Sequence, residues 1–464
     1  MKFNLFSSSI CVLEVLAINS LKKKDLLTLG FMMFSIYFGA GNLIFPPALG
    51  QAAGDHTLHA MLGFMTTGIG LPLLGITAIA LAGGEYVPLL HAKTWPRFAT
   101  VLLVILYLII GPLFAMPRTG AVSFEIGIRP FLSADNLALG QIIYTAIFFA
   151  SSYYLALNPN KIIDRVGRML TPALLIVLLI LFVQAFHAPL GAILPATGAY
   201  IDAPFAQGFQ DGYQTMDLLA SIAIGALVAN AVRMRGITDS RAVGAACLVS
   251  GLITVMLMAA VYGSLAYIGA TSTSVLGQAE NGGQILSAAV GIFFGSAGNL
   301  LLAVIIGLAC LTTCCGITSS AAMFFNKLLK GRVSYERLLL FSIMFSFAAS
   351  NVGLTQIIAL AIPFLVTIYP LIIVFVILSL FDRFIGWRKS IYQGAMALTL
   401  VFSLIDGLHA AGLSSEPVHA LLVAYIPFYN IMMGWVCPAV IGALVGLAVS
   451  FFQTAPAAAK ESQV

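Results

Sequence analysis

Apolar residues follow one another along this chain in long uncharged runs, separated by short clusters of Lys, Arg and turn-forming residues. Twelve such runs occur, at about 26–50, 57–82, 98–121, 140–158, 168–188, 203–232, 240–268, 298–326, 335–350, 355–381, 391–411 and 423–452. A helix crossing a hydrocarbon core of roughly 30 Å needs about 20 apolar residues. Each run therefore predicts a membrane-spanning helix, numbered here as spans 1 to 12. The run at 335–350 is short, and 284–296 has the composition of a further helix on the outer side. The alternating pattern of a membrane β-barrel is absent, which leaves helices as the structure that satisfies its own backbone in lipid.

The basic residues orient the spans. Lys22, Lys23 and Lys24 precede span 1, Lys93 and Arg97 lie between spans 2 and 3, and Lys161, Arg165 and Arg168 lie between spans 4 and 5. Arg233, Arg235 and Arg241 follow span 6, Lys327, Lys330, Arg332 and Arg337 follow span 8, and Arg383, Arg388 and Lys389 follow span 10. With Lys2 and Lys460, all but Arg118 and Arg129 of the 22 basic residues fall on one side. That side is expected to be the cytoplasm, with both termini in it.

Composition agrees with this pattern. Of 464 residues, 60% are hydrophobic and 8% charged, and the mean hydropathy is +1.03. A soluble surface carries about a quarter or more charged residues, so a water-soluble globule, a disordered chain and a nucleic-acid-binding protein are excluded. The net charge of +5 is a topology signal. Residues 1–21 stand before the pattern as an N-terminal extension; a signal peptide or an upstream start codon would also account for them. Residues 453–464 form a cytoplasmic tail.

Five of the six cysteines (Cys247, Cys310, Cys314, Cys315 and Cys437) lie within spans, and Cys11 lies before them. They have no metal-ligand spacing, and His56 and His59 lack a third ligand. No transition metal, disulfide or cofactor is expected.

Spans 1–5 occupy about 26–188 and spans 6–10 about 203–382. Five is odd, so span 1 starts inside and span 6 outside. Similar halves would be inverted copies, and transporters of that kind break a helix at matching positions. The expected organisation is thus a first repeat at 22–188, an inverted repeat at 203–382, and spans 11 and 12 at 390–452.

Span 1 contains Gly39-Ala40-Gly41-Asn42 followed by Pro46 and Pro47. Glycine weakens a helix, and the prolines cannot donate to the carbonyls of Asn42 and Leu43. An outer half-helix beginning near Asn42 would aim its amides at the membrane centre, where they suit a carboxylate. The carbonyls ending the inner half suit a sodium ion. The same residues also describe a simple proline kink.

Span 6 carries Gly208 and Gly212, then Gln214, Thr215, Met216 and Asp217. The glycine spacing alone suits helix packing. Asp217 is a functional candidate as an ionisable group within a span, and it also reads as the N-cap of the apolar helix that follows. Span 8 carries Thr312 and Thr313 at its centre. Their hydroxyls are hard oxygen ligands for a small cation, though such groups commonly bond back to their own helix. In span 3, Arg118 and Glu125 are two turns apart and suit either one gating or coupling network or a snorkelling pair at the interface. Glu85 and Asp406 have no evident partner.

Several of these segments are also familiar as a set. Lys24-Asp25-Leu26-Leu27-Thr28-Leu29-Gly30, Gly39-Ala40-Gly41-Asn42-Leu43-Ile44-Phe45-Pro46-Pro47, Gly111-Pro112-Leu113-Phe114-Ala115-Met116-Pro117-Arg118-Thr119 with Ser123-Phe124-Glu125, Gly212-Tyr213-Gln214-Thr215-Met216-Asp217 and Ala309-Cys310-Leu311-Thr312-Thr313 closely resemble the bacterial branched-chain amino acid:cation symporters, the BrnQ family. The resemblance runs in order from about 22 to 452 and leaves out residues 1–21. It implies import of leucine, isoleucine and valine, driven by a sodium or proton gradient, across the bacterial inner membrane. More distantly, Gly39-Ala40-Gly41-Asn42 resembles the break in helix 1 of amino acid transporters with the LeuT fold. That likeness implies an all-α inverted 5+5 repeat. It also implies substrate carboxylate at the Ala40 and Gly41 amides beside Gly39 and Asn42. The cation would be held by helix 1 carbonyls such as that of Phe38 and by Thr312 and Thr313. Thr215, Met216 and Asp217 match by position only.

A secondary symporter with alternating access is the favoured function. A symporter for another small apolar solute is the nearest alternative. A channel would need a continuous polar pore, whereas the polar groups here cluster at mid-depth. An enzyme would need a nucleophile and base or a metal cluster, and no phosphate-binding Gly-x-x-x-x-Gly-Lys-Ser/Thr motif occurs. The expected partners are the small-molecule substrate and the lipid bilayer, with no nucleic acid and no obligatory protein.

Overall fold

A computed structural model describes residues 23–452 apart from 85, 158, 238, 387 and 415, and only the backbone of 159–171, 383–384, 416 and 418–419. The N-terminal extension, the C-terminal tail and Glu85 therefore lie outside the described residues. Within them the chain is helical and has no strand.

In chain order the helices are α1 Lys23–Tyr37, α2 Ala40–Ala53, α3 Thr57–Met65, α4 Leu71–Leu81, α5 Tyr86–Lys93, α6 Pro96–Leu108, α7 Ala115–Gly127, α8 Leu137–Ala156, α9 Pro159–His187 and α10 Pro204–Asp211. They continue with α11 Asp217–Arg233, α12 Ser240–Leu276, α13 Gly282–Leu328, α14 Tyr335–Ser350, α15 Leu354–Leu380, α16 Asp382–Ile385, α17 Lys389–Ala410, α18 Glu416–Tyr425 and α19 Val436–Phe452. Each apolar run of the sequence falls on one or more of them. Among the described residues, seven helices are long and apolar enough to cross a membrane, or eight when α10 and α11 count as one bent span. Ile143 and Ile147 on α8, Leu179 and Val183 on α9, Phe341 and Met344 on α14, and Ile441 and Leu444 on α19 are exposed. Such apolar outer faces are stable against lipid and not against water. The chain is a multi-pass membrane protein.

Span 1 is broken between α1 and α2 at Phe38 and Gly39. The outer half begins at Ala40, two residues before the expected start at Asn42. The cause is a local exchange: Gly39 takes an extended backbone, φ −122° and ψ −168°, and its N–H donates to the Asn42 side-chain oxygen at 3.0 Å. Pro46 and Pro47 lie inside α2 and do not set the break.

Span 6 also breaks. After α10 the chain tightens into a 3-10 turn at Gly212–Thr215, Met216 turns left-handed at φ 62°, and α11 starts at Asp217. The two halves are bent by 47°. A left-handed non-glycine residue costs about 1–3 kcal/mol, so its surroundings must hold it there.

Two further interruptions shape the site. Between α6 and α7, a wide turn at Ile109–Leu113 contains non-helical Gly111, at φ −97° and ψ −125°. Gly111-Pro112 carries the cause of this kink, which the hydrophobic pattern alone does not show. In α13, Gly295 has φ 65°, a conformation that glycine adopts readily. It separates an outer segment at 282–294 from span 8, as the composition of 284–296 suggested.

Small residues bring the helices together. A Cβ on Gly50 would lie 1.9 Å from the Ala266 carbonyl oxygen, and one on Gly269 would lie 2.0 Å from that of Pro47. Backbone contact between α2 and α12 therefore depends on glycine at both places. On the expected cytoplasmic side, Lys93 of α5 pairs with Asp382 of α16 at 2.7 and 2.8 Å. Tyr392 of α17 donates to the same carboxylate at 3.0 Å, joining the connector between spans 2 and 3 to spans 10 and 11. The five described cysteines are free.

Candidate functional site

The two broken helices meet. Asn42, in the first turn of α2, extends its amide nitrogen to Asp217 Oδ2 at 2.6 Å. The same nitrogen donates to the Tyr262 hydroxyl of α12, and Tyr262 donates to Asp217 Oδ2 at 3.4 Å. All three side chains are buried. Both hydrogens of the Asn42 amide are thus used, while its oxygen holds Gly39. One side chain sets the end of the helix 1 break and ties it to the helix 6 break.

This geometry corrects the capping expectation for Asp217. The N-cap of α11 is Met216, and Asp217 is the first helical residue. The Asp217 N–H donates to Thr215 Oγ1 at 3.3 Å, and Thr215 in turn donates to the Gly212 carbonyl at 2.9 Å. Thr215 supplies the cap, which frees the Asp217 carboxylate to leave its own helix. Its place in the first turn of α11 still sets the negative charge at the positive end of the helix.

Arg118 and Glu125 do not form one network. Arg118 is buried against the helix 6 break, where it donates to the carbonyls of Gln214 at 2.5 Å and Thr215 at 3.5 Å. Its guanidinium stands 5.2 Å over the Phe45 ring. Glu125 accepts from Arg129 at 2.8 Å, Gln284 at 2.9 Å and Asn281 at 3.2 Å. It ties α7 to the outer segment of α13. Two turns of separation would share a face, but these side chains reach different neighbours. Neither is a snorkelling pair, since both residues are buried. Asp406 is buried too, with Tyr429 as its hydrogen-bond neighbour.

The threonines of span 8 differ. Thr312 donates to the Ala309 carbonyl of its own helix at 2.9 Å. Thr313 faces the helix 1 break: a Cβ on Gly39 would meet its methyl at 3.3 Å and its hydroxyl at 3.7 Å. The Thr313 hydroxyl has no hydrogen bond among the described residues. Phe38 is buried and stacks on Phe34 at 5.1 Å, and its carbonyl falls at the end of the inner half-helix. The break, Gly39, Ala40, Gly41 and Asn42 are thereby flanked by Thr313 on one side and Arg118, Thr215 and Asp217 on the other.

Sequence reasoning missed Tyr262 and Phe45. A tyrosine in an apolar run does need a partner for its hydroxyl when buried, but nothing in the linear pattern pairs it with Asn42. Among the described residues, no three His, Cys, Asp or Glu side chains gather as a metal site.

Two interrupted helices that face each other at their breaks in a multi-pass helical protein are the arrangement of the LeuT fold. Solved structures agree on the fold. One is Mhp1, a nucleobase-cation-symport-1 family transporter in a closed conformation with bromovinylhydantoin bound, at TM-score 0.56 and 14% identity, covering 92% of each chain. Another is MhsT in complex with L-phenylalanine, at TM-score 0.55 and 16% identity, covering 91% of this chain and 98% of that one. Residues 22–453 match the family model described as branched-chain amino acid transport protein. The chain is 46% identical over 434 residues to the branched-chain amino acid permease BraB of Bacillus subtilis, covering 94% of this chain and 97% of that protein. It is 44% identical over 418 residues to the branched-chain amino acid transport system 2 carrier protein of Pseudomonas aeruginosa, covering 90% and 94%. The chain belongs to the branched-chain amino acid transport protein family.

Proposed function

We propose that this chain is a secondary symporter that imports leucine, isoleucine and valine with sodium ions or protons by alternating access. The observation that carries the reading is the Asn42–Asp217 hydrogen bond of 2.6 Å, which couples the breaks of the two interrupted helices. Ala40 and Gly41 are the first two residues of α2, so their N–H groups have no intrahelical acceptor and suit a carboxylate beside Gly39 and Asn42. Thr215, Met216 and Asp217 complete the substrate side. The Phe38 carbonyl, Thr312 and Thr313 supply oxygen ligands for the coupling cation, and no cofactor takes part.

The surrounding architecture is proposed as two inverted five-helix repeats, at 22–188 and 203–382, followed by spans 11 and 12 at 390–452. That gives twelve spans with both termini in the cytoplasm of a bacterium and the chain in its inner membrane. Cation binding draws Thr313 to the helix 1 break and organises the amides that receive substrate, which is positive coupling between two ligands.

The test is competition against radiolabelled leucine uptake. Each buried CH₂ contributes roughly 0.8 kcal/mol, so leucine should outcompete alanine by about 10- to 200-fold. Isoleucine and valine should compete closely with leucine. Competition by lysine or glutamate as strong as by isoleucine would sink the reading.

A further inference from the structure

We propose that Arg118 recognises the substrate carboxylate. The proposal rests on the transport reading above and assigns the residue that selects amino acids as acids. Arg118 comes from α7, just past the kink at Gly111, and not from either broken helix. Yet its guanidinium lies against the first turn of α2: a Cβ on Gly41 would sit 2.9 Å from Nη2 and 3.2 Å from Cζ. Glycine at 41 is what lets a cation approach the half-helix amides so closely.

The partners of this cation leave part of its hydrogen-bonding capacity unused. Arg118 is 5% exposed, and its terminal nitrogens reach only main-chain carbonyls. Its Nε is buried without a hydrogen-bond partner. Among the described residues no carboxylate lies within ion-pair distance of it; their three ion pairs involve Lys93, Arg129 and Arg235. Asp217 acts on this cation only from beyond ion-pair distance, and a buried charge so weakly compensated is costly in a membrane. A guanidinium fork matches a carboxylate with two parallel hydrogen bonds. Held beside Gly41, a carboxylate would face the fork and the positive end of α2 together. The aromatic face of Phe45, one turn after Gly41 on the same face of α2, holds the guanidinium without supplying an acceptor.

The chemical class follows. The ligand carries a free carboxylate close to a compact apolar group, and the amide of the same compound should be rejected because it offers no negative charge to the fork. A latch between α7 and the helix 6 carbonyls would be a structural role, and it would affect both compounds alike.

Leucine and leucinamide binding to the purified full-length carrier separates the two roles. The dissociation constant of each is measured for wild type, Arg118→Gln and Arg118→Lys. Wild type should prefer leucine by on the order of 10⁴-fold, in line with sites built to hydrogen-bond a defining polar group. In Arg118→Gln that preference should collapse through loss of leucine affinity alone, with leucinamide nearly unchanged. Arg118→Lys keeps the charge without the fork, so its preference should fall between the two. It decides the matter if Arg118→Gln does not fold. Equal losses for both ligands, or wild-type preference in the variants, would overturn the proposal while leaving the transport reading intact. A wild-type carrier that binds no leucine would overturn the transport reading itself.

Discussion

Asp217 takes part in three relationships at once, and they predict different responses to substitution. Its backbone opens α11 with Thr215 as the cap, so the carboxylate is not needed to start the helix. Its side chain accepts from Asn42 and Tyr262, so it holds the helix 1 break. Asp217→Asn should therefore insert and fold normally, since Asn keeps an oxygen that can accept from Asn42. What it removes is the charge. The dependence of leucine affinity on the coupling cation should weaken by about 5- to 150-fold, the usual range of coupling between two sites. Leucine binding measured across cation concentrations checks this, and unchanged dependence would reduce Asp217 to a structural role. The residue was legible as functional because a charge inside a span is expensive. Its role as first helical residue was not legible, because Met216 gives no sequence sign of the left-handed backbone that shifts the cap to Thr215. Arg118 was similar: its presence in a span pointed to function, but its neighbours depend on the packing of three distant segments.

Among the helices, the breaks in spans 1 and 6 were legible because glycine and polar residues interrupt apolar runs at mid-depth. Their registers were less so. Pro46 and Pro47 suggested a start near Asn42, yet the Asn42 side chain captures the Gly39 N–H and moves the start to Ala40. The kink of span 3 at Gly111 is carried by Gly111-Pro112, a pair that stands in the sequence reading only as part of a family-like segment. Span 8 offers the sharpest test at this scale. Thr312 and Thr313 are alike in sequence, but Thr312 is bonded to Ala309 while Thr313 faces Gly39. Thr313→Val keeps the shape and removes one oxygen. It should lower apparent cation affinity in uptake assays, and more than Thr312→Val does. If neither substitution changes cation dependence, the cation site lies elsewhere.

For the whole molecule, the apolar outer faces and the buried Lys93–Asp382 pair describe a body assembled in lipid and tied together on one side. Breaking a buried pair of this kind typically costs about 3–5 kcal/mol, so the connector between spans 2 and 3 is anchored to span 10. Hydropathy located the apolar helices, because lipid imposes one rule on every residue that faces it. They could not reveal which helices touch, since contacts such as Gly50 with Ala266 depend on shape alone. The central claim is that cation movement drives leucine movement through this body. It is tested most directly by radiolabelled leucine uptake into proteoliposomes containing the purified chain, with sodium and pH gradients imposed separately. The account predicts that one of the two inward gradients drives leucine above its external concentration, and that dissipating that gradient abolishes the accumulation. Equilibration of leucine to the external concentration and no further, under either gradient, would contradict it.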